Sequence, residues 1–280
     1  MITISPKIEN FDMYYIEDVV YLKRGVQNLT LQIILPCDYT VLHPLIVYIP
    51  GSAFHRQELK ASIPNISLLA AKGYAVAVLE YRGSEDASFP SVVLDAKAGI
   101  AFSKEYMKRY SVDNERVFVM GDSSGAYAAL MAGLTYGVKS LEDEYSSNKD
   151  YSVKAIVDFY GPTDFTTMND ELSTQDHTVA NSPEGLFIGG KAVDPTSEYV
   201  QHTIIKNYIK DGRKLPPIMM FHGNADELVP FSQSCELYEA LKENGHNAVF
   251  YRVKGAHHGG REFWSDEILS MVDKFLKTKV

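Results

Sequence analysis

Short runs of apolar, mostly β-branched residues alternate with amphipathic segments along the chain, and this alternation constrains the fold more than any other feature. The runs fall at 29–35, 45–49, 75–81, 116–120, 153–160, 218–222 and 248–253. The middle and later ones are almost continuously apolar, as expected of parallel strands covered on both faces. Helical patterns lie between them at 62–72, 91–110, 125–136 and 231–244. Pro90 precedes the second, and Gly73 and Gly245 follow the first and last, which are natural start and stop signals. In the last segment Trp264, Ile268, Met271 and Phe275 recur at i, i+4, i+7 and i+11, a stripe expected to dock on the sheet. Strand–helix alternation predicts βαβ units, hence an α/β fold with a mainly parallel sheet. No helix separates the first two runs, so the sheet is expected to start antiparallel.

Composition agrees with one globular unit, taken as a single domain over 1–280. Apolar residues make up 45% and charged residues 22%, ordinary values for a packed domain. The net charge of −9 gives no basic footprint for nucleic acid. Two cysteines, Cys37 and Cys235, lack CxxC or Cys/His spacing, so neither a disulfide framework nor a structural zinc site is expected. The N-terminal stretch lacks the basic, apolar and small-residue regions of a signal peptide. No apolar run nears the ~20 residues of a membrane span. The expectation is a cytoplasmic protein with no membrane partner. Two stretches break the rhythm. Residues 139–152 read as a solvated excursion. Residues 165–214 exceed by far the usual length of such a connection; they contain one helical pattern, 197–210, and are expected to form a pocket wall or small lid.

The sharpest motif is Gly121-Asp122-Ser123-Ser124-Gly125, a Gly-x-Ser-x-Gly turn between a predicted strand and a predicted helix. A nucleophile on such a turn projects its hydroxyl above the sheet, and side chains at the flanking glycines would collide with the neighbouring strand and helix. A serine hydroxyl is a poor nucleophile, so it needs a base, and the base needs an orienting acid. Both are expected later in the chain, acid first. Asp226 follows the run 218–222, and the pair His257-His258 follows the run 248–253. Asp226 is preferred to its neighbour Glu227, whose longer side chain would reposition the imidazole, with Asp164 as the alternative acid. His258 is preferred to His257. His222 is expected to pack beneath the acid loop without a catalytic role. All these positions sit just past strand ends, where loops converge on one crevice.

Attack on a carbonyl also requires fixed N–H donors for the developing oxyanion. Candidate amides are Ser124, after the nucleophile, and Ser52 and Ala53 in the Pro50-Gly51-Ser52-Ala53-Phe54 loop.

The chain resembles the α/β-hydrolase esterases of the hormone-sensitive-lipase-like carboxylesterase group, and within it the acetylxylan and feruloyl esterase-like carbohydrate esterases. The resemblance runs from about Asp18 to the C-terminus. It rests on Leu29-Thr30-Leu31, Tyr81-Arg82-Gly83-Ser84, Phe89-Pro90 with Asp95, the Gly121–Gly125 turn, Tyr160-Gly161-Pro162-Thr163-Asp164 and the Asp226 and His258 loops. It implies a sheet of about eight strands with helices on both faces, and a Ser123–His258–Asp226 triad with no cofactor or metal. The implied substrate is a small-molecule or oligosaccharide ester carrying a short acyl or hydroxycinnamoyl group. A homodimer is expected by analogy. The chain departs from the group in two ways. Pro50-Gly51-Ser52-Ala53 stands where His-Gly-Gly-Gly is frequent, which crowds the carbonyl and favours small acyl groups. The large helical cap of many relatives is missing, leaving Phe54, Phe165, Leu186, Phe187 and Ile188 as the candidate apolar substrate wall. Two alternatives are a serine peptidase or amidase of the prolyl-oligopeptidase type and a non-catalytic hydrolase-fold binding protein.

Overall fold

Alternate residues of the central strands are apolar on both sides, so each strand feeds two cores at once. The computed structural model describes residues 3–5, 12–210 and 212–279. Eight strands form one sheet: β1 (Met13–Arg24), β2 (Gln27–Pro36), β3 (His43–Ile49), β4 (Ala75–Leu79), β5 (Val112–Asp122), β6 (Ala155–Phe159), β7 (Ile218–Gly223) and β8 (Ala248–Val253). Their order is β1-β2-β4-β3-β5-β6-β7-β8. Six strands, β4 to β8 in that order, run parallel, while β1 and β2 are antiparallel to their neighbours. This is the α/β-hydrolase architecture.

The principal helices are α1 (Leu59–Ala70), α2 (Ser91–Tyr106), α3 (Ser123–Leu134), α4 (Pro183–Phe187), α5 (Glu198–Gln201), α6 (Ser232–Glu243) and α7 (Asp266–Lys277). On one face Leu45, Val47, Val117 and Val119 pack with α2, α3 and α6. On the other Ile46, Tyr48, Phe118 and Met120 pack with α1 and α7. The strict in–out alternation explains why β3 and β5 are buried along their whole apolar length.

The sheet begins antiparallel, as expected, and β4 lies between β2 and β3. Two expectations are corrected. On α7 the buried residues are Ile268, Leu269, Val272 and Leu276. Trp264, in a preceding 3₁₀ turn, and Met271 and Phe275 are half-buried but pack against the same core, so the docking face is wider than the predicted stripe. The helix expected over 197–210 is broken into α5 and a 3₁₀ turn, Ile205–Tyr208. There the Ile205 amide bonds the Thr163 carbonyl at 3.0 Å instead of continuing the helix.

Candidate active site

The turn from β5 into α3 carries Ser123 at φ +52°, a left-handed conformation that costs a non-glycine residue energy and persists only when its surroundings enforce it. They do so by close approach. A Cβ on Gly125 would lie 2.0 Å from the Ile49 carbonyl oxygen, and one on Gly121 would lie 2.4 Å from that of Gly125. Helix and strand can approach this closely only without side chains there.

Loops after β7 and β8 bring the other two groups to Ser123. His258 Nε2 lies 2.9 Å from Ser123 Oγ, and His258 Nδ1 lies 2.7 Å from Asp226 Oδ2. Nδ1 facing a carboxylate must carry the proton, so Nε2 presents its lone pair to the serine hydroxyl. Asp226 is fixed in turn: its Oδ1 accepts the Leu228 and Val229 amides, both at 2.9 Å. His222, fully buried, lies beneath, with Nε2 3.2 Å from Asp226 Oδ2 and 3.0 Å from the Val229 carbonyl oxygen. Both are acceptors, so Nε2 is the protonated nitrogen and Nδ1 accepts from Ser234 Oγ at 2.7 Å. Burial alone would raise the Asp226 pKa, but hydrogen bonds from His222 and His258 override it and hold the carboxyl well below the usual carboxylate range.

The alternatives are engaged elsewhere. Glu227 pairs with His257 at 2.5 Å as an exposed outer pair on the same two loops. Asp164 binds Lys206 at 2.7 Å and accepts from Thr166.

The oxyanion loop differs from expectation. The Ser52 amide donates to Ser124 Oγ at 2.9 Å, so that N–H is already engaged. Ala53 and Ser124 remain as the candidate amides. Ala53 and Phe54 both take left-handed φ, +51° and +63°, which nothing in their residue types signals. The turn is held by His55 N to Ser52 O at 3.0 Å and Ser84 N to Phe54 O at 2.8 Å. Sequence reasoning also missed Asp122, which accepts from Tyr48 Oη and from the Gly51 amide at 3.0 Å. It missed the Tyr160 ring as well, edge-on to His258 with centroids 4.8 Å apart. Asp122 stands inside the recognised motif, but no local pattern announces its partners.

The expected substrate wall is also corrected. Phe54, Phe165, Phe187 and Ile188 are at most 2% exposed. The rings stack on each other, Phe54 on Phe187 at 4.3 Å and Phe54 edge-on to Phe165 at 5.6 Å, with Tyr127 completing the cluster. They form a closed aromatic core under the loop rather than an open slot; Leu186 alone is half-buried. The 165–214 segment is stitched to the acid loop by Thr174 N to Glu227 O at 2.7 Å and His177 Nε2 to Leu228 O at 2.9 Å. Among the described residues no cluster of His, Cys, Asp or Glu could hold a metal ion, and no helix is long and apolar enough to cross a membrane.

Comparison with known proteins adds to this geometry. A family model described as BD-FAE matches residues 31–241. The chain belongs to the BD-FAE family. Its curated relatives are named as ester hydrolases. One is Esterase LipC of Mycobacterium tuberculosis, 26% identical over 218 residues, covering 77% of this chain and 53% of that protein. This BD-FAE member spans about half the length of the first curated relatives it matches. Among solved structures, a truncated carbohydrate esterase from gut microbiota superposes with a TM-score of 0.83 at 27% identity, covering 98% of each chain. A bifunctional GH43-CE protein of Bacteroides eggerthii gives 0.84 at 29% identity, covering 98% of this chain and 39% of that one.

One BD-FAE strand carries an unmatched acid. Asp158 on β6 is fully buried; Oδ1 accepts from Gly161 N at 2.9 Å, and Oδ2 has no partner among the described residues. Burial pushes its pKa up to about 7, against a smaller lowering by the Gly161 amide. The unfolded chain then ionises near pH 4 while the folded protein keeps its proton. This group therefore subtracts stability as pH rises from about 4 to 7, on the order of 4 kcal/mol in full. Asp158→Asn removes the titration. Urea unfolding at pH 5 and pH 8 is expected to show wild type losing stability relative to the variant at the higher pH. Parallel changes would contradict the assignment.

Proposed function

We propose that this chain is a serine esterase cleaving short-acyl carboxylic esters through an acyl-enzyme. The observation that carries the reading is the unbroken relay from Ser123 Oγ through His258 to Asp226, at 2.9 and 2.7 Å. His258 Nε2 takes the hydroxyl proton as Oγ attacks the ester carbonyl. The Ala53 and Ser124 amides stabilise the oxyanion. The imidazolium then gives its proton to the departing alkoxide. Water attacks the acyl-enzyme by the same route in reverse roles, releasing the acid. Asp226 holds the Nδ1–H tautomer and stabilises the cationic imidazole.

The closed aromatic cluster favours acetyl and similar groups over hydroxycinnamoyl ones, because an aryl acyl chain would have to displace rings already in contact. Forcing extra volume into such packing costs roughly 1–3 kcal/mol, or about 5- to 150-fold in rate. A carbohydrate-linked alcohol is supported by the two solved structures, whose proteins are described as carbohydrate esterases or as carrying a CE module.

The test is a panel of nitrophenyl acetate, butyrate and octanoate, a methyl hydroxycinnamate and an acetylated xylooligosaccharide. The expected order of kcat/KM is acetate above butyrate, with octanoate and the hydroxycinnamate about 5- to 150-fold below acetate. The acetylated oligosaccharide is expected to release acetate. A preference for octanoate or hydroxycinnamate would reject the short-acyl reading.

A further inference from the structure

Behind the oxyanion turn lies a ring of three hydroxyls that the relay does not use. Ser52 N donates to Ser124 Oγ at 2.9 Å, Ser124 Oγ lies 3.0 Å from Tyr81 Oη, and Tyr81 Oη lies 2.9 Å from Ser52 Oγ. Proton counting fixes the direction. Ser52 Oγ also contacts the His55 carbonyl oxygen, which can only accept, so the single Ser52 hydroxyl proton points there. Ser52 Oγ must then accept from Tyr81, and Tyr81 must accept from Ser124. Ser124 accepts from the Ser52 amide. Each hydroxyl donates once and accepts from a neighbour in the ring, and the circuit begins and ends on Ser52.

Tyr81 and Ser124 are buried, at 0% and 1% exposure. Tyr81 is anchored by its own amide, which donates to Gln57 Oε1 at 2.8 Å, while Gln57 Nε2 bonds the His55 carbonyl oxygen at 2.6 Å. Between Ser52 and His55, Ala53 and Phe54 both take left-handed φ. Burial raises the Tyr81 pKa to about 12, despite lowering by its Ser124 and Ser52 contacts, so Tyr81 keeps its proton and can donate throughout the neutral range.

We infer that Tyr81 is a positioning residue for ester hydrolysis: through Ser124 and Ser52 it locks the left-handed turn that presents the Ala53 amide to the oxyanion. The inference rests on the serine-esterase reading above and deepens it. A ring that aligns a transition-state donor affects turnover more than ground-state binding.

The experiment compares wild type, Tyr81→Phe, Ser124→Ala, the double variant and Ser123→Ala on nitrophenyl acetate. Active sites are counted by fluorophosphonate titration, so turnover refers to folded enzyme. Each single ring variant is expected to lower kcat by about 10- to 100-fold, since small misplacements of catalytic groups carry effects of this order. KM should stay within about twofold. The double variant is expected to fall no further than the weaker single variant, because either change opens the same circuit. Wild-type kcat in Tyr81→Phe, a loss carried by KM, or multiplicative losses in the double variant would each overturn the inference. Should Tyr81→Phe fail to fold, Ser52→Ala tests the same circuit by removing the acceptor of the Tyr81 proton, with the same expected kcat loss and the same overturning results. Ser123→Ala separates the two readings. If it is inactive while the ring variants match wild type, only the ring falls; if it turns over like wild type, the serine-esterase reading falls with it.

Discussion

Ser123→Ala is expected to lower kcat by about 10⁴–10⁶, the order found when members of a serine hydrolase triad are removed. The physical ground is that Ser123 Oγ is the atom His258 Nε2 contacts, at 2.9 Å. Without it, no acyl-enzyme forms, and only the oriented amides and bound water remain to assist hydrolysis. The fold should survive, because alanine meets the same φ of +52° as serine and the close approaches at Gly121 and Gly125 are untouched. The measurement is steady-state hydrolysis of nitrophenyl acetate together with a fluorophosphonate probe. Wild type should be labelled stoichiometrically and the variant not at all. Turnover near wild type would remove Ser123 from the mechanism.

Asp226→Asn should cost about 10⁴ in kcat, for a reason specific to this loop. Oδ1 accepts two backbone amides, from Leu228 and Val229. An asparagine must therefore keep its carbonyl oxygen on that side and turn its NH₂ toward His258 Nδ1. That forces the His258 proton onto Nε2, where it can no longer accept from Ser123. The same NH₂ would face the Nε2–H of His222, donor against donor. This should also destabilise the fold by roughly 1–3 kcal/mol. The pH dependence carries a definite sign. The Asp226 pKa is depressed in the folded protein, so its stabilising contribution is fully present above the unfolded carboxylate value near 4 and is lost as pH falls through the lower folded value. Denaturation of the two proteins should differ most at neutral pH and converge in acid. Equal stability at pH 7, or unchanged kcat, would contradict this account.

The parts of the fold legible in sequence were those where one local pattern has one physical outcome. The continuous apolar runs of β3, β5 and β7 could only be buried strands. β1 escaped notice because it is an edge strand; Met13, Tyr14 and Val20 stay exposed, so no clean alternation marks a buried face. The stripe on α7 was read too narrowly because apolar residues cover a wide arc of that helix, and only the core on that face of the sheet decides which of them are fully buried. The helix over 197–210 failed where a tertiary hydrogen bond from Ile205 to Thr163 replaced a local one.

The candidate site divides along the same line. Ser123, Asp226 and His258 were visible because each stands directly after a strand, and parallel strands deliver their following loops to one end of the sheet whatever the intervening sequence. Whether a given N–H in the 50–54 loop faces a substrate was not visible. That depends on two left-handed residues without a glycine between them and on hydroxyls contributed by three separate segments, at Ser52, Tyr81 and Ser124. Local residue order determined which side chains reach the end of the sheet, because chain connectivity and burial act over a few residues. The tertiary structure alone decided which donor points where, because hydrogen-bond direction is set by partners drawn from segments far apart in the chain.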